Sequence, residues 1–217
     1  MTDLTPVAVY GSGGHGKVVA DIVTCQGTHR VAYFVDDDAS KAGTRVWGYP
    51  VLHGMDGLLR ARDEIPALAA VVAIGCNESR ESIAARLVAE GVPLITAIHP
   101  DACIAASARI GAGTVLMAGS IVNPSSTIGS NTILNTRSSV DHDCQIGAGV
   151  HIAPGATICG HVTIGDLATV WAGATVINNV AIGAGAILGA GAVVTHDVPP
   201  GLTVVGVPAR PLRRGTP

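Results

Sequence analysis

Residues 146–170 read IGAGVHIAPGATICGHVTIGDLATV, with Ile146, Ile152, Ile158, Ile164 and Val170 falling at every sixth position. Followed in both directions, the series runs from Ile98 to Val194 through 17 positions, and each is Ile, Leu or Val. A second series, four residues later, runs from Ala102 to Val198 and holds only Ala, Ser, Thr, Cys or Val. An unbroken six-residue period marks a solenoid. The large aliphatic residue points inward from a flat side, and the small one fits the tight corner. Three hexads complete an 18-residue coil, so residues 98–198 make between five and six coils of a three-sided parallel β-helix. At about 4.8 Å per coil the prism is roughly 27 Å long. Each coil buries its aliphatic side only by stacking on its neighbours. The period leaves the hand of the coil open.

Charge separates this stretch from what precedes it. Between 98 and 198 the only charged residues are Asp101, Arg109, Arg137, Asp141, Asp143, Asp166 and Asp197, whereas residues 1–97 carry 19 charges. The expected division is therefore 1–97, 98–198 and a terminal strand and tail, 199–217. The 217 residues have a net charge of −3, which gives no footprint for a nucleic acid or an anionic membrane. No apolar run is long enough to span a membrane and no signal peptide is evident, so a cytoplasmic protein is expected. Five cysteines without a CxxC pair read as free, buried thiols in a reduced compartment.

In the first part, Val7–Tyr10 reads as a buried strand, followed by Gly11-Ser12-Gly13-Gly14-His15-Gly16 and a helix through Lys17–Thr24. Strands are expected again at Val31–Val35, Ala70–Ile74 and Val92–Ile98, with a helix between Asn77 and Gly91 whose face is Ile83, Ala84, Leu87 and Val88. Alternating strands and helices make a small Rossmann-like α/β domain. Gly11, Gly13 and Gly16 fit G-x-G-x-x-G, with Asp36 twenty residues further on. Such glycines let a backbone approach phosphates at a helix N-terminus. Fewer than 100 residues lack the second half of a dinucleotide fold, so a mononucleotide or a nucleotide-linked sugar fits better. The plainer alternative is a tight turn alone.

Within the prism, Asp141-His142-Asp143 places a histidine between two acids. The residue 18 further on, stacked over His142, is Gly160. An imidazole beside an unshielded glycine amide suits general-base catalysis with oxyanion stabilisation. An exposed histidine with incidental acids fits the spacing equally well, and either Asp141 or Asp143 could support the ring. Trp171 follows an inward valine and should face out. At the C-terminus, Arg210, Arg213 and Arg214 read either as a solvated tail or as phosphate contacts.

The segments Tyr10–Val18 (YGSGGHGKV), Phe34–Asp37, Ala73–Asn77 (AIGCN), Ile98-His99-Pro100, Asn135–Cys144 ending in VDHDC, and Gly206–Arg210 (GVPAR) together resemble a known family. It comprises the left-handed β-helix N-acetyltransferases of nucleotide-linked 4-amino-4,6-dideoxy sugars. The resemblance covers the full length and implies a left-handed prism, a homotrimer, and acetyl-CoA bound along the prism between subunits. It implies nucleotide-sugar contacts at Gly13, Gly14, His15, Asp36, Asp37 and Gly75, and acetyl-CoA contacts at His151 and the backbone of Ala172 and Ala190, with Arg210 as the phosphate contact that the basic C-terminal segment offers. It also implies His142 as general base and Asp143 as its acidic partner, beside the oxyanion donor that the spacing offers at Gly160. GDP-perosamine is the first substrate candidate, for O-antigen or other glycan synthesis. UDP- or dTDP-linked 4-amino sugars, or sialic-acid-type O-acetylation, are the alternatives. A nicotinamide oxidoreductase rests on the glycine loop alone. A metal-dependent hydratase would require an H-x4-H pair that is absent, since positions 147 and 156 are Gly and Ala; no metal is expected. A non-catalytic scaffold is the third rival.

Overall fold

The computed structural model describes residues 4–212, so Arg213 and Arg214 of the basic tail lie outside the described residues. The chain divides into two compact units between Pro100 and Asp101.

The first unit is a five-stranded sheet in the order β3-β4-β2-β1-β5, built from β1 (Thr5–Tyr10), β2 (His29–Asp36), β3 (Arg45–Val46), β4 (Tyr49–His53) and β5 (Ala69–Val72). All pairings are parallel except the β3–β4 hairpin. Helix α1 (Gly14–Gln26) follows β1, α2 (Gly54–Glu64) follows β4, and α3 (Asn77–Ala89) follows β5. Val7, Val9, Phe34, Val35, Val71 and Val72 are buried, as expected of strands covered on both faces. The chain leaves β1 for β2 on one side and reaches β5 on the other. The carboxyl ends of β1 and β5 therefore flank a topological switch point, the usual ligand crevice of such sheets.

Several local expectations change. The hairpin and α2 had no strong period in the sequence and were not foreseen. The expected strand at Val92–Ile98 contracts to Ala97–Ile98 and a bridge from Leu94 to Ala70. In α3, Ala84 and Leu87 are buried but Val88 is 61% exposed; the buried face continues through Asn77 and Arg80 instead. Buried thiols are likewise not the rule. Cys25, Cys76 and Cys103 are exposed, Cys159 is half-buried and only Cys144 is buried, because the other positions lie outside the inward-facing series.

In the second unit, two-residue strands recur every six residues and pair in parallel with the strand one coil away. Ser139–Val140, for example, pairs with Ile121–Val122 below and Thr157–Ile158 above. Every large inward residue from Leu116 to Val194 is buried. Ile104 and Ile110 are only half-buried. At the corners, buried hydroxyls reach carbonyls of the neighbouring coil: Thr114 Oγ1 donates to Gly129 O (3.0 Å), Ser126 Oγ to Asp141 O (2.6 Å) and Thr132 Oγ1 to Gly147 O (3.0 Å). From Ile110 to Leu188, the residue three after each inward position turns through the left-handed region. Glycine or asparagine often serves there, but Asp143 (φ 58°) and His161 (φ 57°) hold two of these turns. After Pro199-Pro200-Gly201 the register breaks. Ile187 pairs with Thr203, 16 residues on, and Arg210–Pro211 runs back antiparallel against Val204–Val205.

Candidate active site

In the α/β unit the glycines of the loop divide into two kinds. A Cβ on Gly16 would lie 1.9 Å from Gly11 O, and one on Gly11 would lie 2.5 Å from Ala73 O, so these two permit close chain crossing. Cβ atoms on Gly13, Gly14 or Gly75 would meet nothing within 4 Å. Gly13 and Gly14 border open space at the N-terminus of α1, where an anion is favoured, and Gly75 borders open space just before α3.

Asp36, expected to face the ligand, is occupied with the loop itself. Its Oδ2 accepts from Ser12 Oγ (2.5 Å), Ser12 N–H (3.1 Å) and Lys41 Nζ (2.9 Å), and its Oδ1 from Asp38 N–H (3.1 Å). Desolvation opposes ionisation, but these bonds prevail and hold the carboxyl well below the usual carboxylate range. Asp37 accepts from Tyr10 OH at 2.5 Å, and burial together with that bond pushes the phenol up. Asp37 and Tyr10 line a cavity of about 520 Å³ with His53, Asp56, Arg60 and Arg86. His53, Asp56 and Arg60 come from elements the sequence reading missed, whereas Arg86 lies on the expected helix α3.

His15 sits in the first turn of α1 with Nε2 buried and without a hydrogen-bond partner. Burial, then the nearby Arg80 charge, lowers its pKa to about 4, so the ring is neutral at pH 7. Arg80 is itself fully buried and donates to Ile74 O (2.9 Å) and Asn77 Oδ1 (2.8 Å), bracing the Gly75 loop. Asn77 belongs to the AIGCN segment, which was the available signal for this brace.

In the prism, His142 Nδ1 lies 2.8 Å from Asp143 Oδ2. The left-handed turn at Asp143 is what brings its carboxylate back against the preceding ring. Asp141 is engaged elsewhere: its Oδ1 accepts from His142 N–H and from Asn123 Nδ2, both at 2.8 Å, and these bonds lower its pKa. The two acids thus hold different parts of one histidine, the ring and the backbone. Gly160 stacks so close to that ring that a Cβ there would lie 2.6 Å from Cε1 and 2.8 Å from Nε2. Counting by columns separates His142 from His161, yet their rings are 5.2 Å apart and edge-on. The left-handed backbone at His161 accompanies this close approach, and its Nε2 lies 3.7 Å from Asp143 Oδ2.

The amide at the second position after each inward residue falls outside the parallel ladder. His142 N–H uses Asp141, and Ala148 N–H uses Asp166 Oδ1 at 2.8 Å. Among the described residues no acceptor is recorded for the equivalent amides of Gly160, Ala172 and Ala190. Ala172 and Ala190 are exposed and stack one coil apart, linked by Gly191 N–H to Ala172 O (2.9 Å). His151 Nε2 lies 3.3 Å from Asn135 Nδ2 and its ring 6.3 Å from that of Trp171, which is 47% exposed. Arg210 is exposed, donates to Ala209 O at 2.8 Å and borders a second cavity of about 490 Å³ with His196 and Asp197.

A nucleotide-type loop followed by a hexad prism with a histidine–carboxylate pair defines a class, and the family models match both parts. Residues 6–87 match the PglD N-terminal domain, and 125–160, 143–178 and 161–196 match the bacterial transferase hexapeptide repeats. The chain belongs to the left-handed β-helix nucleotide-sugar N-acetyltransferase family, and its prism is left-handed.

Among solved structures, it is similar to a variant of the GDP-perosamine N-acetyl transferase of Caulobacter crescentus in complex with CoA and GDP-perosamine. Identity is 38%, the TM-score is 0.91, and coverage is 97% of this chain and 98% of that one. It is also similar to the acetyltransferase domain of PglB from Neisseria gonorrhoeae FA1090 in complex with acetyl coenzyme A, at 40% identity, TM-score 0.89 and 97% and 100% coverage. A curated relative, UDP-N-acetylbacillosamine N-acetyltransferase of Bacillus subtilis (strain 168), is 39% identical over 115 residues. That match spans 52% of this chain and 51%, about half, of the relative. No helix among the described residues is long and apolar enough to cross a membrane.

Proposed function

We propose that this protein transfers the acetyl group of acetyl-CoA to the 4-amino group of a nucleotide-linked 4-amino-4,6-dideoxy sugar. The observation that carries the reading is the His142–Asp143 pair packed against Gly160. Asp143 accepts from Nδ1–H, which leaves the Nε2 lone pair for the substrate. The sugar amine attacks the thioester carbonyl, and His142 Nε2 takes the amine proton. The Gly160 N–H donates to the oxyanion of the tetrahedral intermediate. The C–S bond then breaks, and the imidazolium returns the proton to the departing CoA thiolate.

In this reading residues 1–97 bind the nucleotide-sugar and 98–198 bind acetyl-CoA. Gly13, Gly14 and Gly75 admit the phosphates, neutral His15 offers its buried Nε2, and Asp37 reaches the nucleotide from the 520 Å³ cavity. Asp36 acts by holding Ser12 and the loop. The outward amides of Ala172 and Ala190 receive the pantetheine arm, with His151 beside it and Arg210 toward the CoA phosphates. GDP-perosamine is the first candidate because a relative of full-length similarity is solved with it; the bacillosamine-type relative makes a UDP-sugar the second. A cytoplasmic homotrimer serving O-antigen or glycan synthesis completes the proposal, and exposed Trp171, Ile177 and Ile187 suit burial between prisms.

The test is CoA release from acetyl-CoA with GDP-, UDP- and dTDP-linked 4-amino-4,6-dideoxy sugars. Turnover with one of them supports the reaction and names the base. Silence across the panel with acetyl-CoA still bound would shift the acceptor to a hydroxyl, and silence without acetyl-CoA binding would overturn the reading.

A further inference from the structure

Outside the acyl-transfer site, the first unit gathers three different metal-ligating side chains at one spot. Asp21 and Cys25 lie four residues apart on α1 and so share a face on successive turns. The chain at Ala97–Ile98 is tied to the end of the same helix by Ile98 N–H, which donates to Gln26 Oε1 at 3.1 Å. That bond sets His99 beside the exposed Asp21 and Cys25. One ligand atom from each of Asp21, Cys25 and His99 lies within 4.8 Å of the other two.

We infer that Asp21, Cys25 and His99 form a binding site for a borderline-soft divalent ion of the zinc class. The donor set is one sulfur, one nitrogen and one oxygen, which selects Zn²⁺ or Co²⁺ over the oxygen-seeking Mg²⁺ and Ca²⁺. Around a tetrahedral ion, bonds of about 2.0–2.3 Å place ligand atoms roughly 3.3–3.8 Å apart. Closing from at most 4.8 Å requires a movement of about 1 Å, within reach of rotation by the exposed Asp21 and Cys25 side chains toward half-buried His99. Electrostatics points the same way. The last turn of α1, where carbonyls concentrate partial negative charge, has no basic residue, and Asp21 adds a further negative charge one turn earlier. A cation held by Cys25 and His99 supplies the missing complement and fastens α1 to the segment after Ile98.

A second group, His142, Asp143 and His161, also has ligand atoms within 4.8 Å of one another, but it contains no sulfur. That difference gives the experiment its discrimination. Full-length protein, reduced and stripped with a chelator, is titrated with Co²⁺ alone. The expected result is one equivalent showing a sulfur-to-cobalt charge-transfer band and tetrahedral d–d intensity, displaced by Zn²⁺. Cys25→Ser, at an exposed position, abolishes the charge-transfer band while the metal-free protein unfolds at the wild-type temperature. His99→Gln weakens binding by more than the roughly 10–100-fold that loss of an outer-shell partner costs. Absence of the band in the wild-type protein overturns the site. So does a band that persists in Cys25→Ser, or binding that only His161→Gln removes.

Discussion

Replacing Gly160 with alanine isolates the geometry on which the proposed chemistry depends. The added Cβ would stand 2.6 Å from His142 Cε1, 2.8 Å from Nε2 and 3.2 Å from Nδ1. Carbon atoms in comfortable contact are about 3.5–4.0 Å apart, so the ring must retreat by roughly 1 Å. Gly160 has no left-handed φ, which means alanine suits its backbone. The His142 side chain is 46% exposed and is the softer partner. The ring therefore swings outward, its 2.8 Å bond to Asp143 breaks, and Nε2 leaves the acceptor amine. The expected cost is that of losing a general base, about 10²–10⁴-fold in kcat, or roughly 3–5 kcal/mol in the barrier. The unfolding midpoint should move little. Steady-state CoA release and thermal denaturation are measured on Gly160→Ala, His142→Ala and the double variant. If the glycine acts mainly by making room for the ring, the double variant loses scarcely more than His142→Ala. Near-wild-type turnover by Gly160→Ala, or full additivity in the double variant, would refute the reasoning.

His142→Ala and His142→Asn should each lose about 10²–10⁴-fold in turnover under saturating substrates while retaining cooperative unfolding; near-full kcat would sink the base assignment. Gly13→Ala, whose Cβ meets nothing in the protein, should fold normally and raise KM for the nucleotide-sugar, read from saturation curves. Gly16→Ala should instead unfold earlier by denaturant titration, because its Cβ would lie 1.9 Å from Gly11 O and overpacking of this kind costs about 1–3 kcal/mol or more. His15 has a folded-state pKa of about 4 against 6.5 when unfolded, so the unfolded chain binds the extra proton between those values. Stability from this residue is present above pH 6.5 and is lost as pH falls toward 4, by up to about 3 kcal/mol. Denaturation midpoints against pH should show that slope in the wild type and a shallower one in His15→Gln.

The prism was readable because each of its rules is local and repeats. Ile146 and Ile152 are inward for the same reason, and an integer period lets one coil predict the next. Gly160 over His142 followed from adding 18, whereas the approach of His161 did not, since it crosses between columns near a left-handed turn. The α/β unit was legible in its strong strands and glycine loop. Helix α2 was missed because its apolar residues, Met55, Leu58 and Ala61, are few and interleaved with charge. Arg80 shows a further limit: a basic residue on a helix reads as solvated, and only carbonyls from another segment, such as Ile74 O, explain its burial. Asp36 was found by its spacing, but its engagement with Ser12 and Lys41 depends on a loop path that spacing alone does not give.

The 18-residue pairing of the prism strands between Ala97–Ile98 and Val193–Val194 also governs which changes of length the prism can absorb. Adding or removing a whole coil outside the 142–160 step keeps each side chain on its own face and merely lengthens or shortens the prism. A single hexad inserted between Asp143 and Gly160 would turn all that follows by one face. The inward series would stay buried and the repeat would still fold, yet Gly160 would no longer meet His142. Any such single-hexad change in a natural variant would leave the spine intact and separate the residues proposed for the reaction.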